Sequence, residues 1–187
     1  RKVYLHLFTD GRDSGPKTAL GLLRRLEGLM SNLGVGQVAT IGGRYYGMDR
    51  TGNWERTGLM YEAMVAGSGP RAASPSDAIQ KSYKRGVTDE FIRPTVISGR
   101  DARSISAGDA VILFNLRSDR ARQLVKAFVV PDECQSDVYD CRRFRPFRRF
   151  FFATLSDFGS DLPGVRPAFV PEEVQNTLPH YLGKHDA

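Results

Sequence analysis

"KVYLHLFTDGRDSGPKTALGLLRRLEGLMSNLGVGQVATIGG", residues 2–43, decides the fold class. Its head, "KVYLHLF" (2–8), is short, apolar and rich in β-formers, and reads as a strand. From residue 16 to 34, Leu20, Leu23, Leu26, Leu29, Met30 and Leu33 recur at helical spacing. Pro16 suits a first helical turn and Gly34 a C-terminal stop. "QVATIGG" (37–43) reads as a second strand. Strand, helix and strand in that order, with continuously apolar strands, predict a parallel pair under a crossover helix.

The pattern continues outward. The spacing predicts helices over 52–67 and 74–86, the second with Ser74 as cap and Pro75 in its first turn. "EFIRPTVI" (90–97) is extended. "DAVILFNL" (109–116) is the clearest strand, and "SDRARQLVKAF" (118–128) is a helix behind it. Residues 130–149 are the least regular. Residues 151–158 and 166–171 read as extended, with a short helix inside "EEVQNTLPHYLG" (172–183). The expected fold class is α/β: one largely parallel sheet covered by helices in three layers, with residues 1–187 forming one domain.

Composition bounds the function. The chain has 187 residues, 41% hydrophobic and 26% charged, as soluble globular domains have. Nothing approaches the ~18 apolar residues of a membrane span, and the basic, then apolar start lacks a signal-peptide cleavage site. The expected location is cytoplasmic. Cys134 and Cys141 are expected to be free thiols, because a domain of this length needs no staple. His6, His180 and His185 are scattered and no Cys-x-x-Cys occurs, so no metal site is expected. The net charge of +6 points either to a solvated basic surface or to an anionic partner.

Ligands of open α/β sheets bind beyond the carboxyl ends of the strands. "TDGRD" follows the first strand, "RYYGMDR" the second and "NLRSDR" the strand at 109–114. Each places arginine beside aspartate at such an end. Arg117 and Arg120, three apart, can share a helix face. A cation at a helix N-terminus is disfavoured by ~0.3–1 kcal/mol, so two together call for an anion: a bound phosphate or carboxylate, or Asp119. Arg44 and Arg50 flank "YYGMD" and can turn toward one ligand, or stack on tyrosine. Gly11 permits a sharp turn that aims Arg12 and Asp13 together. An ionised Asp13 among arginines could take a proton from a substrate hydroxyl as that oxygen attacks phosphorus, or serve as an Asx-turn residue. These residues describe a site for a small, strongly anionic molecule.

The blocks "FTDGRDSGPKTA" (8–19), "GGRYYGMDRTGNWERT" (42–57), "GVTDEFIRPTVI" (86–97) and "GDAVILFNLRSDRARQL" (108–124) resemble the cofactor-independent phosphoglycerate mutases. The tail "TLSDFGSDLPGVRPAFVPEEVQNTLPHYL" (154–182) looks like that family's return segment. The resemblance implies a two-domain α/β enzyme that interconverts 3-phosphoglycerate and 2-phosphoglycerate through a phosphoserine. One domain is phosphatase-like and carries the serine and two metal ions, usually manganese. This chain would be most of the phosphotransferase domain inserted into it, binding no cofactor itself. Carried over, Arg12 and Asp13 would hold glycerate, with Asp13 moving the proton. Arg44 and Arg50 would bind substrate, and Arg117 and Arg120 the phosphoryl group. The family's histidine in a "SDGGVHSH"-like stretch, its serine, its metal ligands and a substrate lysine are absent, and the chain alone is expected to be inactive. Its partners would be the two phosphoglycerates and the phosphatase-like domain, with no nucleic acid and no membrane.

Two other readings compete. "RRFRPFRRF" (142–150) interleaves arginine and phenylalanine and could bind single-stranded nucleic acid; the plainer expectation turns Phe144, Phe147 and Phe150 to the core. The chain could also be a non-catalytic remnant that binds phosphorylated metabolites.

Overall fold

A computed structural model describes residues 2–98, 104–145, 147, 149–170 and 177–184. Strand β1 (Tyr4–Thr9) leads to helix α1 (Ala19–Leu33), then strand β2 (Gln37–Gly43), the single-turn helix α2 (Arg44–Gly47) and helix α3 (Trp54–Val65). Strand β3 (Arg71–Ala72), helix α4 (Pro75–Lys84), a 3₁₀ turn at Asp89–Phe91 and strand β4 (Thr95–Ile97) complete the first half. Strand β5 (Ala110–Leu113), helix α5 (Ser118–Val129), strands β6 (Phe151–Ser156) and β7 (Val165–Phe169) and helix α6 (Leu178–Lys184) form the second.

The fold is α/β with mostly parallel strands, but they form two sheets. One has the order β1-β2-β4-β3 and the other β5-β6-β7. Among the described residues every pair is parallel except β2 and β4, which run antiparallel through Thr40↔Val96 and Ile41↔Thr95. Nor is 90–97 one extended run: the 3₁₀ turn at Asp89–Phe91 takes its start, and only Thr95–Ile97 pairs as a strand. β5 is likewise shorter than 109–116. It stops at Leu113, and Phe114 stands 78% exposed.

Local signals explain most ends. α4 starts where Ser74 Oγ accepts from Asp77 N–H, with Pro75 behind it. α1 closes at Gly34, whose left-handed φ of +63° lets Gly34 and Val35 return hydrogen bonds to Ser31 and Met30. Pro16 lies before α1, which begins at Ala19. The leucine stripe of α1 is only partly used, since Leu23 is buried but Leu29 and Leu33 are exposed.

Two apolar clusters hold the molecule. α1 and α4 bury Leu23, Ala78 and Ile79 against Val38, Ile41, Ala72 and Ile97. α3 and α5 bury Met60, Tyr61, Met64, Leu124, Val125 and Phe128 with Leu113 and Phe152. The irregular 130–149 segment seals the second cluster. Phe144 packs edge-on against Trp54 and Tyr61, while Phe147 and Phe150 stack near Phe128. The aromatic half of the Arg/Phe stretch therefore faces inward, and Arg142 and Arg143 stay at the surface with Asp140 and Glu62.

The expectation of free thiols is overturned: Cys134 and Cys141 form a disulfide. The 3₁₀ turns at Pro131–Glu133 and Cys141–Arg143 curl the chain between them back on itself, which leaves the two Cα atoms 5.7 Å apart.

His6 in β1 lies 2.8 Å from the Thr40 hydroxyl through Nδ1. Burial pushes its pKa down to about 4. An unfolded histidine titrates near ~6.5. Between these values the unfolded chain binds a proton that the folded chain refuses. Stability therefore falls as pH drops through that window, by on the order of 3 kcal/mol, and this group causes no further loss below it. Urea unfolding at pH 7, 5 and 4 should show His6→Gln losing less stability than the unmodified chain. Equal losses in both chains would acquit His6.

Candidate active site

Parallel pairing of β1 with β2 sets Thr9 opposite Gly43. The next residues, Asp10 and Arg44, leave neighbouring strand ends side by side. Arg44 Nη1 donates to Asp10 Oδ1 and, at 2.9 Å, to Asp13 Oδ2. Arg44 is only 5% exposed, whereas Asp13 is 67% exposed. Burial opposes the Arg44 charge, but Asp13 and Asp10 outweigh it and hold the guanidinium protonated. Burial likewise raises the Asp10 carboxyl. Hydrogen bonds from Arg44, Asp13 N–H and Ser14 outweigh that and hold it below the usual carboxylate range.

The loop that carries Arg12 and Asp13 is pinned from behind. Gly11 has φ +71°, and a Cβ there would lie 2.6 Å from Glu90 N; one on Gly43 would lie 2.1 Å from Glu90 O. Only glycine lets the Asp89–Phe91 turn press against both strand ends. Asp89 fastens it. Its Oδ2 accepts from Thr18 N–H at 2.8 Å and Ala19 N–H at 2.9 Å, capping α1 from outside the helix, and its Oδ1 accepts from the Tyr83 hydroxyl. Its backbone carbonyl accepts from Thr9 Oγ1. Arg12 stands outward, 3.9 Å from Glu90 Oε1.

The third strand end joins through Asp119. Its Oδ2 accepts from Arg50 Nη1 at 2.6 Å and from Arg117 Nη2 at 3.4 Å. Slight burial raises this carboxyl, but Arg50, Arg117 and Arg120 outweigh it and hold it below its ordinary value. Arg117 is the residue before α5 and caps nothing with its side chain. Arg120, one turn in, has a buried Nε with no hydrogen-bond partner among the described residues. Its pKa is pushed down by burial first and then by the charges of Arg50, Arg44 and Arg12, with Asp119 opposing. Arginines from all three strand ends therefore act on one point.

All the residues picked out in the sequence, Arg12, Asp13, Arg44, Arg50, Arg117 and Arg120, lie in this cluster. Arg44 differs from its expected form: it is a buried clamp on two aspartates and not an open arm. The arginine stacked on tyrosine is Arg56, 4.0 Å over the Tyr45 ring, which leaves Arg50 free for Asp119. Asp10, Asp49, Asp89 and Gln123 were not picked out. Asp10, Asp89 and Gln123 find partners on other elements, whereas Asp49 is bonded within its own turn by Thr51 and Asn53; Asp10 and Asp49 carried a local cue, an aspartate next to a turn glycine or a site arginine. Chemically, the cluster can hold a multiply charged anion against several guanidinium groups, with an exposed carboxylate beside it. Among the described residues no group of three or more His, Cys, Asp or Glu side chains is placed to hold a metal ion. No described helix is long and apolar enough to cross a membrane.

A family model described as the BPG-independent PGAM N-terminus matches residues 1–159. The chain is 43% identical over 190 residues to the 2,3-bisphosphoglycerate-independent phosphoglycerate mutase of Clostridium novyi (strain NT), covering 98% of this chain and 35% of that protein. It is 54% identical over 196 residues to the enzyme of that name from Chloroflexus aggregans, covering 95% and 36%. A solved structure of Leishmania mexicana phosphoglycerate mutase at low cobalt concentration superposes with a TM-score of 0.81 at 23% identity, over 99% of this chain and 35% of that one. That likeness bears on the fold alone. The chain spans about a third of the length of the curated relatives it matches.

Proposed function

The chain belongs to the BPG-independent phosphoglycerate mutase family, and on that premise we propose that it supplies the arginine and aspartate half of a site that interconverts 3-phosphoglycerate and 2-phosphoglycerate in glycolysis and gluconeogenesis. It is most of an inserted phosphotransferase domain. The rest of the polypeptide supplies the serine nucleophile and two divalent metal ions, manganese in the usual form. A cytoplasmic location rests on the family alone, since the joined cysteines withdraw the thiol argument.

One observation carries the reading: the buried Arg120 Nε has no hydrogen-bond partner among the described residues while the charges of Arg50, Arg44 and Arg12 bear on the same guanidinium, and a multiply charged anion relieves both. Arg117 and Arg120 grip the phosphoryl group at the start of α5, where the helix dipole adds to their pull. Arg50 and Arg12 turn from Asp119 and Glu90 to the substrate carboxylate and hydroxyls. Arg44 stays buried and fixes Asp10 and Asp13. When the phosphoryl group leaves for the serine, the exposed Asp13 takes a proton from solvent and passes it to the glycerate oxygen left behind. On return, Asp13 takes the proton of the hydroxyl that attacks phosphorus. Redundant holding by several guanidinium groups lets glycerate turn over in place without release.

The test is calorimetric titration of 3-phosphoglycerate into the 187-residue chain, with a mutase assay alongside. The expected result is saturable binding that glycerate alone does not match, and no turnover with or without manganese, because no phosphoenzyme can form without the serine. Turnover by the chain free of contaminating enzyme overturns the division of labour. Binding that glycerate matches overturns the phosphoryl assignment.

A further inference from the structure

Arg50 is held at two points, and both belong to α5. Its guanidinium donates to Asp119 Oδ2. The backbone of its own turn is held four residues further along the helix, where Gly52 N–H donates to Gln123 Oε1 at 3.0 Å. The other end of the Gln123 amide donates from Nε2 to Thr57 Oγ1 at 2.8 Å, inside the packing of α3 against α5. Gln123 and Thr57 are both buried. The turn itself is tied by Asp49, whose Oδ1 accepts from Thr51 N–H at 3.0 Å and Asn53 N–H at 3.1 Å. Burial raises that carboxyl; hydrogen bonds from Asn53, Thr51 and Gln123 bring it below its ordinary value.

Residues four apart lie on one helix face, so Asp119 and Gln123 lay the Arg50 turn along α5. The two anchors differ in what a substrate does to them. Asp119 is an exposed carboxylate that an incoming anion replaces as the partner of Arg50. Gln123 holds backbone, and an anion has nothing to displace there. A primary amide suits the place because it must accept from a peptide N–H at one end and donate to a hydroxyl at the other. Neither a carboxylate nor an apolar side chain does both.

We propose that Gln123 is a positioning residue for Arg50: it keeps the 49–53 turn in register with α5 when substrate draws Arg50 away from Asp119, so that Arg50 and the Arg117/Arg120 pair close on the same molecule. The inference rests on the phosphoglycerate reading of the site. Pinning a side chain that must act with others removes the entropy of searching for them, which is lost when the pin is cut.

The test is a double-mutant cycle on the 187-residue chain, read by calorimetric titration of 3-phosphoglycerate and by thermal melting. Gln123→Met is expected to weaken binding about tenfold, as is Arg50→Gln. The double variant is expected to bind no worse than Arg50→Gln alone, because Gln123 acts through Arg50. A merely structural role predicts independent losses that multiply in the double variant, and that result overturns the proposal. So does unchanged binding by Gln123→Met. If Gln123→Met does not fold, Thr57→Val carries the same comparison by removing the hydroxyl that the amide holds. Thr57→Ser must then restore binding, and failure of that rescue counts against the proposal. Failure of the unmodified chain to bind 3-phosphoglycerate overturns the site reading and this inference together. Binding by the unmodified chain with multiplied losses overturns this inference alone.

Discussion

In the full-length polypeptide that carries this chain, Asp13→Asn is expected to lower kcat by on the order of 10²–10⁴-fold and to change KM for 3-phosphoglycerate little, if the site works as proposed. Asparagine keeps the shape of the side chain and an oxygen that still accepts from Arg44, 2.9 Å away in the present structure. The clamp on Arg44 therefore survives, and with it most of the binding surface. What the proposed mechanism loses is the ability to take up and return a proton. Asp10 provides the control. It bonds the same Arg44 Nη1 but is the more enclosed of the two, at 35% exposed against 67%. Its carboxyl is also held below the usual range by Arg44, Asp13 N–H and Ser14, so it resists protonation. Asp10→Asn should accordingly cost binding and stability more than kcat. Steady-state kinetics on the two variants separates the roles. A near-normal kcat in Asp13→Asn would reduce Asp13 to a turn residue that holds Arg44.

The contrast between these neighbouring aspartates shows what the sequence made legible. Strand β2 ends at the glycine pair that the residues predict, and α4 starts at the predicted serine and proline, because both signals are local. The placement of arginines after β1 and β2 was legible for the same reason, since parallel strands of one sheet put their carboxyl ends together; β5 lies in the second sheet, and its end joins theirs through Asp119. The number of sheets was not legible, because pairing depends on which edge each short strand finds, and β4 found β2 in the antiparallel sense. Nor was the clamp formed by Asp89. A carboxylate that caps a helix some 70 residues earlier in the chain leaves no mark beside itself or at Thr18, whose own side chain caps nothing. Arg44 was legible as a site residue but not as a clamp, because the carboxylates it holds, Asp10 and Asp13, lie at the end of another strand.

Arg120→Gln should separate binding from folding in the opposite sense to an ordinary core substitution. In the unliganded chain Arg120 is a cation at a helix start, which the dipole disfavours by ~0.3–1 kcal/mol. Arg50, Arg44 and Arg12 add to that repulsion, and the buried Nε has no hydrogen-bond partner among the described residues. Removing the charge relieves all of this, so the melting temperature is expected to stay level or rise slightly. The same change should weaken 3-phosphoglycerate binding by at least ~1.5 kcal/mol, the lower end for a lost hydrogen bond to a charged group, which is about tenfold. Arg117 is the internal comparison. It pairs with Asp119 in the unliganded chain, but that pair is exposed and shared with Arg50, so Arg117→Gln should also be nearly neutral in a melt. If instead the arginines served the fold by neutralising Asp119, both variants would melt lower and bind normally. Melting and titration on the same two proteins distinguish these cases. A lower melting temperature with unchanged affinity in Arg120→Gln would remove the phosphoryl group from the start of α5.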